Sequence, residues 1–140
     1  MEKNNPLYKD QGIHVMGCIF TVDRGVSKVL LIQRSNEPYK DYWALPGGAL
    51  YNNETLEEGM LRELKEKTNI SEVNFMLSNV YSDVDRSPVM RMVGISYVGV
   101  LDIKNANQFY IYDDNEDLIY QGSGNNEWVS LNDISPNLIK

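Results

Sequence analysis

The stretch "GGALYNNETLEEGMLRELKEKTNI", residues 47–70, decides how this chain is to be read. Thr55 and Glu58 stand in capping-box spacing, so a helix is expected to start at Thr55. Leu56, Met60, Leu61 and Leu64 then recur as an apolar stripe that would pack the helix onto the rest of the domain. Gly59 costs such a helix about 1 kcal/mol relative to alanine, which predicts close packing at that point. Asn69 follows as a left-handed stop. At 100° per residue, Glu63, Glu66 and Lys67 fall within about 100° of one another, beside the apolar stripe. Two carboxylates one turn apart at that margin are placed to share a hard cation, and Gly47–Gly48 just before the helix permits close backbone approach and a carbonyl ligand. Spacing alone leaves a second reading open, a solvated acidic helix face.

Outward from this segment the chain reads as β-rich. "GIHVMGCIFTVD" and "SKVLLIQR" are strands joined by a hairpin at "DRGV". "SNEPYKDYWALPGG" reads as a loop. Beyond the helix, "VNFMLSNVY" and "VMRMVGISYVGVL" are strands, "QFYIY" and "LIYQ" form a hairpin around the acidic "DDNED", "NEWVSL" is a last strand and "NDISPNLIK" a short tail. Many strands with one strong helix predict an α/β domain.

The 140 residues, 42% hydrophobic and 24% charged, suit one globular domain over residues 1–140. No apolar run is long enough to span a bilayer, and the polar start has no signal-peptide core, so no membrane partner is expected. A single cysteine, Cys18, forms no internal disulfide and reads as a buried hydrophobe; a cytoplasmic location follows by default. The net charge of −7 argues against nucleic acid as a partner, yet a diphosphate is compatible with it if a divalent cation lies between the two sets of negative charge.

The spacing within residues 48–70 is more particular. From Gly48, five residues lead to Glu54, and seven more lead to Arg62, Glu63, Leu64 and then Glu66 and Ile70. This resembles the Nudix box, with Lys67 in place of the second glutamate of its E-E pair and Asn69 in place of its glycine. "LLIQRSNEPYKDYWALPGG", "VYSDVDRSPVMRMVGISYVGVL" and "NEWVSLNDI" are similar to the flanking parts of the ADP-ribose pyrophosphatase-like branch. The resemblance implies an α/β/α sandwich around a mixed β-sheet. It also implies a hydrolase that uses Mg²⁺ or Mn²⁺ to cleave the diphosphate of a nucleoside diphosphate derivative such as ADP-ribose. The alternative is a non-catalytic binder or sensor of such metabolites. A related branch attaches a DNA-binding winged helix, and the length and acidity of this chain lead us to expect none here.

Carried over by position, the resemblance makes Glu63 and Glu66 metal ligands, with Gly48 adding its carbonyl, one glutamate helping to activate water, Arg62 orienting the glutamates and Glu54 fixing the loop. Arg34 and Arg86 are candidates for phosphate or ribose contacts. Trp43 and Tyr42 are candidates for stacking on a base, as are Phe109, Tyr110 and Tyr112, although strand tyrosines more often pack. His14 reads as structural or exposed. Lys67 has three readings: a stem snorkelling to solvent with a charge pair to Glu63, a phosphate contact, or the mark of a site that binds without catalysis. Asp113, Asp114, Glu116 and Asp117 could supply a further carboxylate, or simply form an exposed turn. Homodimers are frequent among similar proteins, so a homodimer is admitted by analogy.

Overall fold

The computed structural model describes residues 2–34, 37, 39–102, 110–112, 118–121, 126–130 and 138–139, the last four stretches as strand backbone. Its centre is the long strand β1 (Gln11–Asp23), which turns back into β2 (Val26–Gln33). Arg24 and Gly25 make the turn at φ 52° and 78°. Two successive positive φ values are the primed hairpin geometry, whose twist matches that of the strands. The hairpin expected at "DRGV" is therefore present.

β1 and β2 pair from Phe20↔Val29 to Asp23↔Val26 and then part. Into the gap run β3 (Trp43–Ala44), paired with β2, and β4 (Gly47–Ala49), paired with β1 at His14, Val15 and Met16. This corrects the loop reading of residues 35–48. Strands of two and three residues carry no periodicity of their own and exist only through distant partners.

On its other side β1 lies parallel to β6 (Arg91–Val100) along Gln11–Phe20. A parallel pair needs a long crossover. Here it contains the helix α1 (Leu56–Thr68) and β5 (Phe75–Tyr81), which closes the far edge of β6. β7 (Tyr110–Tyr112) and β8 (Leu118–Gln121) form the expected antiparallel pair, and β9 (Asn126–Ser130) pairs with β2. Within the short tail expected at "NDISPNLIK", β10 (Leu138–Ile139) lies parallel to β3. The result is a mixed sheet, order β10-β3-β2-β1-β6-β5, with α1 as the helix among the described residues: the α/β architecture expected from the resemblance. Among the described residues no helix is long and apolar enough to cross a membrane.

The ends of α1 follow local chemistry. Thr55 Oγ1 accepts from the Glu58 backbone N–H while the Glu58 carboxylate accepts from the Thr55 N–H, and Asn69 stops the helix at φ 63°. Met60 and Leu64 are fully buried against Val15, Ile19, Leu30, Ile70 and Ile95, and Leu56 packs beside them. Leu61 does not join this stripe and is exposed. It stands about 100° around the helix from Met60, whereas Leu56, Met60 and Leu64 recur every fourth residue. Close packing at Gly59 is as expected: a Cβ there would lie 2.5 Å from Leu50 Cδ1 and 3.0 Å from Glu54 Oε1.

Candidate active site

The box residues meet where β4 crosses the inner face of α1. Gly47 runs against β1 so closely that a Cβ would come within 2.8 Å of Met16 Cα. The carboxylate of Glu63 lies directly over Gly48, where a Cβ would sit 2.6 Å from Glu63 Cδ. A glycine pair at this point is thus required by two close approaches, one to backbone and one to the glutamate.

Glu63 and Glu66, equivalent by spacing, are not equivalent in space. The Glu63 side chain is 6% exposed and that of Glu66 54%. Arg62 ties them together: its Nη1 donates to Glu63 Oε1 at 2.9 Å and to Glu66 Oε2 at 3.4 Å. Nε donates to Glu54 Oε2 at 2.9 Å, while Nη2 donates to Glu54 Oε1 at 2.7 Å and to the Ala49 carbonyl at 3.0 Å. The guanidinium also lies 3.7 Å over the Tyr51 ring. A planar fork with every side occupied in this way holds its orientation. The hydrogen bond from Arg62 keeps the Glu54 carboxyl below its usual range, and the glutamates raise the pKa of Arg62 in turn. Glu54 also accepts from the Tyr51 N–H at 2.8 Å, which closes the loop between β4 and α1.

Lys67 turns inward. Its ammonium is 3.1 Å from Glu63 Oε2 and donates to the Gly47 carbonyl. The expected charge pair is present, but the stem does not run out to solvent. The carbonyl of β4, invisible from the helix alone, draws it across the cleft.

His14, read as structural or exposed, is half-buried on β1 opposite Ala49. Burial first, then the charges of Arg86 and Lys67, lower its pKa from 6.5 to about 4, with Glu63 opposing and Arg34 contributing. Arg34, Arg86, Lys67 and Glu63 therefore all act on one imidazole. Arg86 reaches it from the loop before β6, its guanidinium lying over Gly94, where a Cβ would be 2.8 Å from Cζ. Gly94 is the register partner of His14. The groups around His14 come from β4, α1 and a distant loop, so no local signal in the sequence marks them. Trp43 is half-buried on β3, and Tyr42 packs on Tyr39 with ring centroids 5.8 Å apart. Tyr110 and Tyr112 lie on β7, while Phe109, Asp113, Asp114, Glu116 and Asp117 lie outside the described residues.

The donor set can be tested for a divalent cation. Glu63 Oε2 is buried without a hydrogen bond and faces the Lys67 ammonium at 3.1 Å, so a divalent cation there would take the place of that ion pair. Among the described residues, however, no cluster of three or more His, Cys, Asp or Glu side chains stands ready for a metal. Glu63 and Glu66, both hydrogen-bonded to Arg62, are two carboxylates present at the site, and one or two carboxylates suffice for an ion such as Mg²⁺ that keeps waters and shares substrate phosphates.

The chain is similar to several known proteins. An ADP-ribose pyrophosphatase of Methanocaldococcus jannaschii is 46% identical over 77 residues, 55% of this chain and 44% of that protein. The ADPR responsive transcriptional repressor NtrR of Acinetobacter baylyi is 36% identical over 115 residues, 81% of this chain and 42% of that protein. The chain thus spans less than half the length of these curated relatives. The NUDIX domain of Shewanella oneidensis NrtR, solved with ADP ribose, superposes with a TM-score of 0.73 at 26% identity, covering 94% of this chain and 80% of that one. The NUDIX domain model itself matches residues 13–140, and on that match the chain belongs to the Nudix family.

Proposed function

We propose that the protein is a Nudix hydrolase that cleaves the diphosphate of a nucleoside diphosphate derivative of the ADP-ribose class, in the cytoplasm. The observation that carries this reading is the Glu63 carboxylate, buried over Gly48 and anchored through one oxygen by Arg62, with its other oxygen already in contact with a cation, the Lys67 ammonium. Glu63 and Glu66 with the Gly48 carbonyl would hold Mg²⁺ or Mn²⁺. When bound, such an ion neutralises the diphosphate and makes water a competent nucleophile. Arg62 keeps the glutamates in place, and Glu54 keeps Arg62 in place. Arg34 and Arg86, gathered with Lys67 around His14, give this acidic protein a local positive field suited to a ligand's phosphates, and Trp43 would contact the base. The pyrophosphatase relative and the ADP-ribose complex of a Nudix domain support the ligand class.

The test is release of AMP from ADP-ribose with Mg²⁺ or Mn²⁺. Native protein should release it and Glu63→Gln should lose most of that activity. Equal rates in the two proteins would remove Glu63 from the chemistry and the reading with it. One observation favours a second reading, a sensor that binds the same ligand intact: the Lys67 ammonium occupies the side of Glu63 that a metal would use. Saturable ADP-ribose binding without AMP release would select it.

A further inference from the structure

Lys67 is placed between two elements. Its ammonium touches the Glu63 carboxylate of α1 and the Gly47 carbonyl of β4, and so bridges the floor of the cleft. Glu63 Oε2, the oxygen it faces, is buried and has no hydrogen bond, so this ion pair meets its charge. Arg62, the neighbouring cation, is fastened by Glu54, the Ala49 carbonyl and the Tyr51 ring and has no freedom to leave. Lys67 is held differently: its side chain is 39% exposed, its stem is flexible, and it reaches the Gly47 carbonyl, a neutral partner, as well as the Glu63 carboxylate. A compact ammonium on such a stem can be exchanged for another cation.

We infer that Lys67 is a displaceable tethered cation: it occupies Glu63 in the free protein and yields that carboxylate only when a diphosphate ligand arrives with a divalent cation and offers the ammonium oxygens of its own. Cation binding is therefore conditional on ligand. This rests on the nucleoside diphosphate reading above. Two cations cannot share one carboxylate oxygen in the free protein without strong repulsion. The incoming diphosphate removes the conflict, since it supplies ligands to the metal and an anionic partner to the lysine.

Mn²⁺ binding to the full chain tests this by electron paramagnetic resonance, with and without α,β-methylene ADP-ribose, an analogue that cannot be cleaved. Without analogue, Lys67→Met should bind Mn²⁺ tighter than native by on the order of tenfold or more, as expected when a unit charge is removed about 4 Å from a divalent ion. Lys67→Gln, which can still donate to the Gly47 carbonyl, should behave like Lys67→Met, and Lys67→Arg like the native protein. Lys65→Met removes the same charge from the exposed side of α1, where Lys65 bonds Asn69, and should change nothing. Adding the analogue should tighten Mn²⁺ binding to native protein and narrow its gap to Lys67→Met. Equal Mn²⁺ affinities in folded native, Lys67→Met and Lys67→Gln proteins that all bind the analogue would overturn the role of Lys67 alone. Failure of every variant to bind the analogue would instead sink the nucleoside diphosphate reading, and the ligand dependence with it.

Discussion

Replacing Gly48 by alanine adds a single methyl group, and the structure states what it meets. The new Cβ would lie 2.6 Å from Glu63 Cδ and 2.8 Å from Oε2. That is about 1 Å short of the separation at which two carbon atoms rest. Gly48 does not have a positive φ, so backbone strain adds nothing and the whole effect is this overlap. The carboxylate has little room to retreat, because it is buried and tied to Arg62 at 2.9 Å and Lys67 at 3.1 Å. Overpacking of this kind costs about 1–3 kcal/mol. At about 3 °C per kcal/mol for a domain of this size, Tm should fall by roughly 3–9 °C. Any divalent cation that uses Glu63 should also bind more weakly. Thermal melts of a double-mutant cycle isolate the contact. In a Glu63→Ala background there is no carboxylate to strike, so Gly48→Ala should then cost almost nothing. A Gly48→Ala penalty of the same size in both backgrounds would refute the proposed overlap.

Three further predictions follow from the same cluster. Arg62→Ala should lower Tm more than Gly48→Ala does, since it strands Glu63, Glu54 and the Ala49 carbonyl together, and Arg62→Lys should recover little of the loss because an ammonium cannot reproduce the fork; recovery to the native Tm would show that charge alone suffices. The folded-state pKa of Glu54 lies below 4.5, so its contribution to stability is complete above that pH and is lost as pH falls through the folded value; the Tm difference between native protein and Glu54→Gln should be present at neutral pH and shrink progressively on acidification below 4.5, and a constant difference would be the contrary result. His14 is the single histidine, so an NMR titration of its ring is unambiguous: the midpoint should fall at about 4, and, because the unfolded chain binds the proton between there and 6.5, its contribution to stability is complete above 6.5 and lost as pH drops toward 4. A midpoint near 6.5 would mean that His14 is solvated and remote from Arg86 and Lys67.

How much of this was legible in the sequence depended on distance along the chain. Both ends of α1 could be read because capping is local: Thr55 with Glu58 at one end, Asn69 at the other. The turn at Arg24 and Gly25 was legible for the same reason. The box residues could be named through their spacing, but their inequality could not. Glu63 is buried and Glu66 exposed because β4 covers one side of the helix only, and nothing within residues 55–69 says where β4 will lie. Lys67 shows the same limit. Its pairing with Glu63 one turn away was legible, while its inward direction depends on a carbonyl twenty residues earlier. The surroundings of His14 were not legible, because Arg86, Lys67 and Arg34 come from separate parts of the fold. The short strands β3, β4 and β10 are defined by their partners alone.

The most direct measurement of the proposed activity is isotopic. ADP-ribose is incubated with the native protein and Mn²⁺ in ¹⁸O-water, and the products are weighed by mass spectrometry. Water attack on the diphosphate predicts AMP and ribose 5-phosphate, with one ¹⁸O in one of the two, and no such products from Glu63→Gln. Intact, unlabelled ADP-ribose recovered from native protein that binds it would contradict hydrolysis.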